Sequence, residues 1–362
     1  MSLFDHRLPD SQRRGRGAAI NPAGRYERLA TERVQDDWTA EDPPPIKTEV
    51  MADASRTILT RNQSPDVPFD RSINPYRGCE HGCSYCFARP SHAQLGLSPG
   101  LDFETRLVAK PRAAELLAAT LRRRGYQAAP IAIGTNTDPY QPVERDWQIM
   151  RQVLEVLWEH RHPVMVTTKG AIVTRDTDLL GRMGRAGLAQ VTLSLTTLDP
   201  RLSRAMEPRA AAPGRRIAAI RQLVRAGVPV GVNIAPVVPG LTCHEMELLL
   251  EAGAEAGATT ASYTTLRLPL EVSELFREWL ERCYPDRFKR VMSKVREMHG
   301  GKDYDHAWGR RLRGEGVYAD LLSRRFEMAR KRLGLGDRRG EGLRTDLFRL
   351  PPRSGDQLSL RL

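Results

Sequence analysis

The sequence lacks the apolar segments and the cysteine framework that would place it in a membrane or outside the cell. No apolar run in its 362 residues approaches the length of about 18 residues that a membrane-spanning helix needs. Residues 1–7 have no apolar core of the kind found in a secretory signal. Only five cysteines are present, an odd number, which does not suit a set of disulfides. We therefore expect a cytoplasmic protein with reduced thiols and no membrane partner.

Positive charge is in excess, and the excess lies toward the C-terminus. The formal net charge is +12. Residues 1–70 carry 10 basic and 12 acidic side chains, whereas residues 281–362 carry 21 basic and 12 acidic ones, a balance of +9. A basic flank of this kind suits a polyanionic partner such as nucleic acid. Arginine spread over solvated faces would give the same composition, so the sequence leaves both interpretations open.

Three of the cysteines stand close together in the segment Cys79-Glu-His-Gly-Cys83-Ser-Tyr-Cys86. Thiolate sulfur is a soft ligand that favours iron–sulfur clusters, zinc or copper(I). Glycines before and within this segment let the backbone wrap closely around a ligand. Three local thiolates leave a four-ligand site incomplete. Either a further residue completes it, with His81 as the candidate for zinc, or one metal position stays open to a substrate.

The Cys-x3-Cys-x2-Cys spacing, with the aromatic Tyr85 before the last cysteine, resembles the signature of the radical S-adenosylmethionine (SAM) enzymes. The wider segment 74–92 resembles the subgroup related to spore photoproduct lyase, in the branch described as DNA repair photolyase-like. The resemblance covers residues 40–335.

This resemblance implies that Cys79, Cys83 and Cys86 hold three irons of a 4Fe–4S cluster, while SAM chelates the fourth iron. One electron from the cluster would cleave SAM to methionine and a 5′-deoxyadenosyl radical, which abstracts hydrogen from a substrate. An electron donor such as flavodoxin or ferredoxin is then an implied partner.

Strands and helices alternate along the chain after Phe103. Helical patterns separate five predicted strands, at residues 131–133, 163–168, 190–195, 229–235 and 259–265. This alternation predicts an α/β fold in which helices cover a parallel sheet. Thr174 is predicted as a helix N-cap, and residues 242–245 as a capping box that opens a later helix. The family resemblance supplies the specific form, a partial (β/α)6 barrel.

The predicted organisation has four parts. An irregular N-terminal arm covers residues 1–45, the radical SAM partial barrel with its cluster loop covers 46–270, and a C-terminal helical extension covers 271–335. A mostly irregular basic tail follows at 336–362. Between the arm and the cysteines, one short strand is predicted at 57–60, followed by a proline-containing loop.

Catalytic groups in parallel barrels gather at the carboxyl ends of the strands, so the residues that follow each strand are the site candidates. Asn136, Asp138, Tyr140 and Gln141 follow the strand at 131–133. The resemblance implies that their loop replaces a Gly-Gly-Glu motif that binds the SAM amino group. Asp138 and Tyr140 are then catalytic candidates, and Asn136 and Gln141 are cofactor-binding candidates. A plain turn is the alternative, because Asn, Asp, Gly and Pro all favour turns.

The next two strands end in further candidates for SAM binding. Lys169 follows one of them and could pair with the SAM carboxylate as a point charge, or it could be a solvated surface lysine. Ser194 would suit the SAM carboxylate or ribose, although a serine in a strand often only satisfies its own hydroxyl. Glu207 is either an acceptor for the ribose hydroxyls or the ion-pair partner of Arg216.

The strand at 229–235 leads into a loop rich in proline and glycine. Asn233 and Pro239 are the cofactor-binding candidates of this segment. An apolar loop of this kind suits the flat face of adenine, and the helix that follows offers free N–H groups to an anion. A simple connector between strand and helix is the alternative.

One feature of spore photoproduct lyase is missing. That lyase has a cysteine in its second-strand loop, which returns a hydrogen atom to the thymine product radical. The aligned residues 134–138 contain none, and no cysteine occurs between Cys86 and Cys243. Photoproduct repair with the same donor is therefore not expected.

The sequence thus predicts a radical SAM enzyme whose substrate is unidentified, with nucleic acid as one candidate. A zinc-stabilised, non-catalytic nucleic-acid-binding protein and a radical SAM modifier of RNA or protein remain as alternatives.

Overall fold

The computed structural model describes residues 7–26, 44–337 and 342–351. Its strands, most of them short and largely buried, have the following bounds: β1 Glu49–Ala52, β2 Leu59–Arg61, β3 Arg71–Ile73, β4 Tyr76–Arg77, β5 Arg106–Ala109, β6 Ile131–Ile133, β7 Val164–Thr168, β8 Ala189–Leu195, β9 Val230–Val237, β10 Thr260–Thr265 and β11 Gly336–Asp337.

The main sheet contains eight strands in the order β11-β10-β9-β8-β7-β6-β3-β2. Strands β3 and β6 to β10 run parallel to one another, which gives the six parallel strands of a partial (β/α)6 barrel. The short β11 adds a parallel edge beside β10, and β2 pairs antiparallel with β3 at the other edge. A second sheet, in the order β1-β5-β4, lies beside the cysteine segment.

Helices follow the strands and cover the sheet. Their bounds are α1 Asp102–Thr105, α2 Ala113–Leu121, α3 Glu144–Trp147, α4 Ile149–Glu159, α5 Thr177–Arg185, α6 Pro200–Met206, α7 Pro213–Arg225, α8 Met246–Glu255, α9 Glu271–Cys283, α10 Pro285–Met298 and α11 Val317–Arg332. Three 3-10 helices span Arg89–Leu95, Ala171–Asp176 and Cys243–Glu245.

The sheet and its helices form because apolar side chains recur at the right spacing. β8 is rich in β-branched and aliphatic residues, and six of its seven residues are buried, as expected for a central strand covered on both sides. The apolar stripe of α4 buries its aliphatic residues against the sheet. Glu144 accepts the backbone N–H of Ile149 at 3.1 Å and of Met150 at 3.0 Å, which satisfies the free donors at the start of that helix. The α/β fold with a mostly parallel sheet is confirmed.

Several local predictions were wrong. The first barrel strand, β3, lies in the segment that was predicted as a loop. The capping box at 242–245 does not form, because the Thr242 hydroxyl accepts from the N–H of Val238 and the Glu245 carboxylate accepts from Thr197 and Leu198. Thr174 lies inside a 3-10 turn and donates to the carbonyl of Ala171, so it is no N-cap.

The two ends of the chain lie on the barrel where they are described. Residues 7–26 contain neither helix nor strand, as predicted, yet Ala18 and Ile20 are buried beside Leu101 and Leu275. In the basic tail, β11 is a short strand rather than irregular chain. Residues 342–351 pack on the barrel through Phe348. The remaining predictions for the arm and the tail fall on 1–6, 27–43, 338–341 and 352–362, outside the described residues. The domain boundaries stay predictions.

Loops from the two edges of the sheet meet on one side of the barrel. The mouth loops, residues 62–70 and 305–314, are joined because Asp66 accepts from the N–H of Gly309 at 2.7 Å and from Arg311 at 2.5 Å. The second mouth loop is also joined to β10, since the N–H of Thr265 donates to the carbonyl of Leu312 at 2.9 Å. None of the helices in the described ranges is both long and apolar enough to cross a membrane.

Candidate active site

A cavity of about 880 Å³ opens at the carboxyl ends of the parallel strands. The cysteine segment and the ends of the strands line it together, as parallel barrels lead one to expect. Its lining includes Cys79, Cys83, Cys86, His81, Tyr85, Asn136, Asp138, Lys169, Ser194, Asn233, Pro236 and Thr265. The mouth loops contribute further lining residues, among them Asp66 and Arg311.

The three clustered cysteines carry free thiols on one wall of this cavity. Gly78 and Gly82 have φ values of +77° and +66°, and the space that a side chain would need at either position is occupied. Glycine is therefore required on both sides of Cys79. Burial raises the pKa of Cys79 well above its ordinary value and that of Cys83 to about 12. These thiols stay protonated until a metal centre displaces the protons.

The donor set fits an iron–sulfur cluster. Soft sulfur ligands, burial and a nearby ammonium group are what an anionic cluster on thiolates needs. Within residues 7–26, 44–337 and 342–351, no three His, Cys, Asp or Glu side chains converge closely enough to hold a single metal ion. All three free thiols line one cavity of about 880 Å³, which has room for a cluster of several irons beside them.

Asp138 joins three segments of the site. Its carboxylate accepts from the Thr168 hydroxyl at 2.6 Å and from the backbone N–H of Lys169 at 2.7 Å. The Nδ1 atom of His81 lies 3.4 Å from the same carboxylate. Burial alone would raise the pKa of Asp138, but His81 and these donors together lower it to about 2. Asp138 is therefore a carboxylate whose oxygens are used in holding the loop after β6, the end of β7 and the cysteine segment together.

Lys169, Ser194 and Asn233 come from three adjacent strands and face the same cavity. The ammonium group of Lys169 lies 5.7 Å from the centre of the Tyr85 ring and has no carboxylate at ion-pair distance in the part of the chain that is described. Burial alone would lower the pKa of Lys169, but Cys83 and Glu207 raise it. Asn233 accepts from the Ser262 hydroxyl at 3.1 Å. A cation, a hydroxyl and an amide thus lie where a zwitterionic ligand could meet them.

A buried ion pair supports the other side of the cysteine segment. Glu207 pairs with Arg216 and also accepts from the Tyr85 and Thr196 hydroxyls. Arg216 donates in addition to the carbonyl of Ser194 at 3.0 Å. Of the two roles considered for Glu207, the structure shows the ion pair. Its carboxylate does not line the cavity.

A model of the radical SAM superfamily matches residues 73–252, from β3 into α8. The chain belongs to this superfamily. The matched residues contain all three clustered cysteines and most strands of the partial barrel. The protein is thus an enzyme with a radical SAM mechanism.

Relatives and solved structures agree with this assignment. Uncharacterized protein Rv2578c of Mycobacterium tuberculosis (strain ATCC 25618 / H37Rv) is 37% identical over 235 residues, 64% of this chain and 68% of the relative. Uncharacterized protein MJ0683 of Methanocaldococcus jannaschii is 25% identical over 249 residues, 69% of this chain and 89% of the relative.

Among solved structures, a spore photoproduct lyase mutant matches with a TM-score of 0.58 and 15% identity over 80% of each chain. A second mutant of that lyase, with AdoMet and a dinucleoside spore photoproduct bound, matches with a TM-score of 0.58 and 14% identity over 80% of each chain. At such low identities the likeness shows a shared fold.

Four of the predicted site residues do not line the cavity of this radical SAM enzyme. Tyr140 is fully buried and donates to Asp176 at 3.0 Å. Gln141 accepts from the N–H of Glu80 at 2.8 Å and so supports the cysteine segment from behind. Pro239 and Glu207 are buried in the wall, and Pro236 lines the cavity in place of Pro239. Asn136 does line it and donates to the Ser91 hydroxyl at 3.4 Å.

Sequence reasoning missed the cations around the cavity of this enzyme. Lys110, Arg267 and Arg313 line it and, among the described residues, have no carboxylate at ion-pair distance. The Arg267 guanidinium lies 4.5 Å from the ring centre of Phe87, which is 41% exposed. Arg267 follows the predicted strand at 259–265 closely enough for the strand-end rule to mark it, whereas Arg313 comes from a later segment, outside the alternating pattern, that this rule does not reach.

Proposed function

We propose that the protein binds a 4Fe–4S cluster through Cys79, Cys83 and Cys86 and binds SAM beside it. When bound, the cluster would supply one electron to SAM, which breaks a carbon–sulfur bond to give methionine and a 5′-deoxyadenosyl radical. The observation that carries this proposal is the convergence on one cavity of three free thiols and the Lys169 ammonium, which has no ion-pair partner in the described part of the chain.

The chain's own residues divide into binding and positioning groups. Lys169 pairs with the SAM carboxylate as a point charge, and Ser194 and Asn233 hydrogen-bond to its polar groups. Asn136 takes part from the loop after β6. These four side chains all line the cavity.

Asp138, Gln141, Glu207 and Tyr140 act through other residues. Their polar atoms are used in contacts with the cysteine segment, with Lys169 or with the loop after β7. We therefore assign them positioning roles, and we assign none of them a hydrogen-atom transfer. Pro239 shapes the loop that follows Pro236.

The substrate that suits the cavity is anionic, and nucleic acid is our candidate. Lys110, Arg267 and Arg313 line the cavity without a carboxylate partner among the described residues, and phosphate is the group that such cations bind. The exposed Phe87 ring beside Arg267 offers a flat face for a base. The lyase structure with a bound dinucleoside supports this choice by its fold.

Much of the basic charge near the C-terminus is already used within the protein. Eight arginines between 282 and 344 form ion pairs with carboxylates. The binding surface that we propose is therefore the cavity mouth and not the whole basic flank. A small electron-transfer protein such as flavodoxin or ferredoxin would supply the electron, and a reducing cytoplasm would keep the thiols free.

The deciding experiment is reductive cleavage of SAM by anaerobically reconstituted protein. With dithionite and SAM, we expect 5′-deoxyadenosine and methionine in equal amounts, together with iron and sulfide bound to the chain. Cys83→Ala should abolish both, and Cys283→Ala, at a half-buried thiol away from the cavity, should abolish neither. Purified protein that holds zinc, or that holds an iron–sulfur cluster yet leaves SAM intact, would contradict the proposal.

A further inference from the structure

Residues 16–20 of the N-terminal arm lie directly against the cysteine segment, although the family match begins only at residue 73. Residues 16–20 of the arm are all buried. At Gly17 the approach is so close that an added Cβ would lie 1.7 Å from the carbonyl oxygen of Gly82. Only glycine at position 17 allows the arm to pack on the backbone between Cys79 and Cys83.

One chain of hydrogen bonds leads from the arm to Cys83. The backbone N–H groups of Gly17 and Ala18 both donate to the Glu104 carboxylate at 2.9 Å. Arg89 donates to the same carboxylate at 2.5 Å and to the carbonyl of Cys83 at 2.9 and 3.0 Å. Glu104 and Arg89 are fully buried. The arm thus donates hydrogen bonds to the buried carboxylate of Glu104. The other donor to that carboxylate, Arg89, also holds the backbone of Cys83.

A second series of hydrogen bonds leads from the arm to the other side of the cysteine segment. Arg16 donates to the Thr48 hydroxyl at 2.9 Å, and that hydroxyl donates to the Glu80 carboxylate at 2.5 Å. The backbone N–H of Glu80 is held in turn by Gln141 at 2.8 Å. Arg16 also donates to the backbone carbonyl of Glu104 at 3.0 Å, which joins the two chains.

We propose that residues 16–20 are a positioning element of the cluster site. They fix the conformation of the cysteine segment and exclude water from its side that faces away from the cavity. Residues around the ligands of a metal centre act on it through their hydrogen bonds and by excluding solvent. Both effects change the affinity of the protein for the metal and the reduction potential of the centre. The inference rests on the proposed cluster. Residues 16–20 of the arm would slow the loss of that cluster and set its reduction potential.

Two substitutions in the full-length chain test this assignment, each with a matched control. Gly17→Ala introduces the clash with Gly82, and Arg16→Met removes the guanidinium that joins the two hydrogen-bond chains. Gly214→Ala adds a methyl group at a glycine with no atom within 4 Å, and Arg14→Met makes the same exchange at an exposed arginine of the same arm. Arg16→Lys restores the charge and part of the hydrogen bonding.

The measurements are the rate at which a chelator removes iron from the reconstituted cluster, the midpoint potential and the electron paramagnetic resonance spectrum of the reduced protein. We expect Gly17→Ala and Arg16→Met to lose iron about tenfold faster than wild type, with a shifted potential and spectrum. Both controls should match wild type, and Arg16→Lys should lie between wild type and Arg16→Met.

Thermal unfolding of each apoprotein separates this role from a purely structural one. If Gly17→Ala fails to fold, Arg16→Met and Arg16→Lys still decide the matter. A variant with a lowered Tm but wild-type iron release, potential and spectrum would overturn the inference and leave the proposed function standing. Wild-type protein that takes up no cluster would overturn both.

Discussion

The carboxylate of Asp138 lies 3.4 Å from Nδ1 of His81, so the loop after β6 contacts the cysteine segment directly. The same carboxylate holds the backbone of Lys169. The segment that carries the proposed cluster ligands and a residue that would bind SAM therefore share one carboxylate. Substitutions at Cys83 and at Lys169 should separate these two functions.

Cys83→Ala should leave the reconstituted protein unable to hold a full 4Fe–4S cluster, because one of three local thiolates is lost. Iron and acid-labile sulfide per chain, measured after anaerobic reconstitution, give the answer. Cys283→Ala should bind as much iron as wild type. A full iron load in Cys83→Ala would remove this cysteine from the ligand set.

Lys169→Ala should weaken SAM binding while leaving the cluster in place. Loss of one charge-assisted hydrogen bond costs about 1.5–3 kcal/mol, or roughly 10- to 150-fold in Kd. Equilibrium binding of SAM to the reconstituted, unreduced protein measures the change. Lys289→Ala, at an exposed lysine of α10, is the matched control. Equal SAM affinity in wild type and Lys169→Ala would show that the ammonium group of Lys169 does not bind SAM.

Protein stability should fall as the pH drops from 6.5 toward 4, in part because of His162. Burial lowers the pKa of this histidine from 6.5 to about 4. Above pH 6.5 the His162 side chain is neutral in the folded and the unfolded chain, so its titration does not change the free energy of unfolding. Between the two values the unfolded chain binds a proton that the folded chain does not, which lowers the free energy of unfolding by up to about 1.4 kcal/mol per pH unit.

His162→Gln should flatten this dependence, since glutamine does not titrate. Urea unfolding across the same pH range measures it in the apoprotein, with His244→Gln at an exposed site as the control. Curves for wild type and His162→Gln that stay parallel between pH 6.5 and pH 4 would refute the assignment.

Binding of a single-stranded oligonucleotide should weaken with salt, and the cations at the cavity mouth should set the slope. Each phosphate contact that is removed lowers the slope of log K against log salt by about 0.7 for a single strand. We expect this change in Lys110→Gln and in Arg313→Gln. Arg344→Gln removes an exposed arginine that already pairs with Asp346, so its slope should equal that of wild type. Binding that does not respond to salt would exclude an electrostatic nucleic-acid site.

Clean, repeated conversion of a spore photoproduct dinucleotide to thymines is not expected. The cysteines that line the cavity are the three proposed cluster ligands, while Cys243 and Cys283 lie outside its lining. Tyr140, which could have replaced a thiol as hydrogen donor, points its hydroxyl at Asp176. Turnover with SAM and dithionite, followed by product chromatography, tests this expectation. Many turnovers per chain would show that another donor serves the same purpose.

The alternation of strands and helices was predictable because it depends on local apolar patterns. β3 escaped prediction because Arg-Ser-Ile has no such pattern, and its burial comes from pairing with β2 and β6. The expected capping box failed because Glu245 binds Thr197, 48 residues away, in place of its own helix end. Tertiary contacts decided both cases, and a single sequence does not show them.

The candidate site also contains residues that the sequence could predict and residues that it could not. Spacing alone marked the three cysteines, and the strand-end rule marked Asp138, Lys169 and Ser194. The support behind them could not be foreseen, since Glu104 receives its hydrogen bonds from residues 86 and 87 positions earlier in the chain. The position of Tyr140 within the wall depends on Asp176, which ends the 3-10 helix that follows β7.

The contact of Asp66 with Gly309 and Arg311 has a consequence for how this enzyme can diversify. The three clustered cysteines, Lys169, Ser194 and Asn233 lie within the residues matched by the family model, whereas the mouth loops at 62–70 and 305–314 lie outside that match. The residues proposed to bind the cluster and SAM and the two mouth loops thus belong to separate stretches of the sequence. Insertions or exchanges in the two mouth loops can alter which molecules enter while the radical-generating residues stay unchanged.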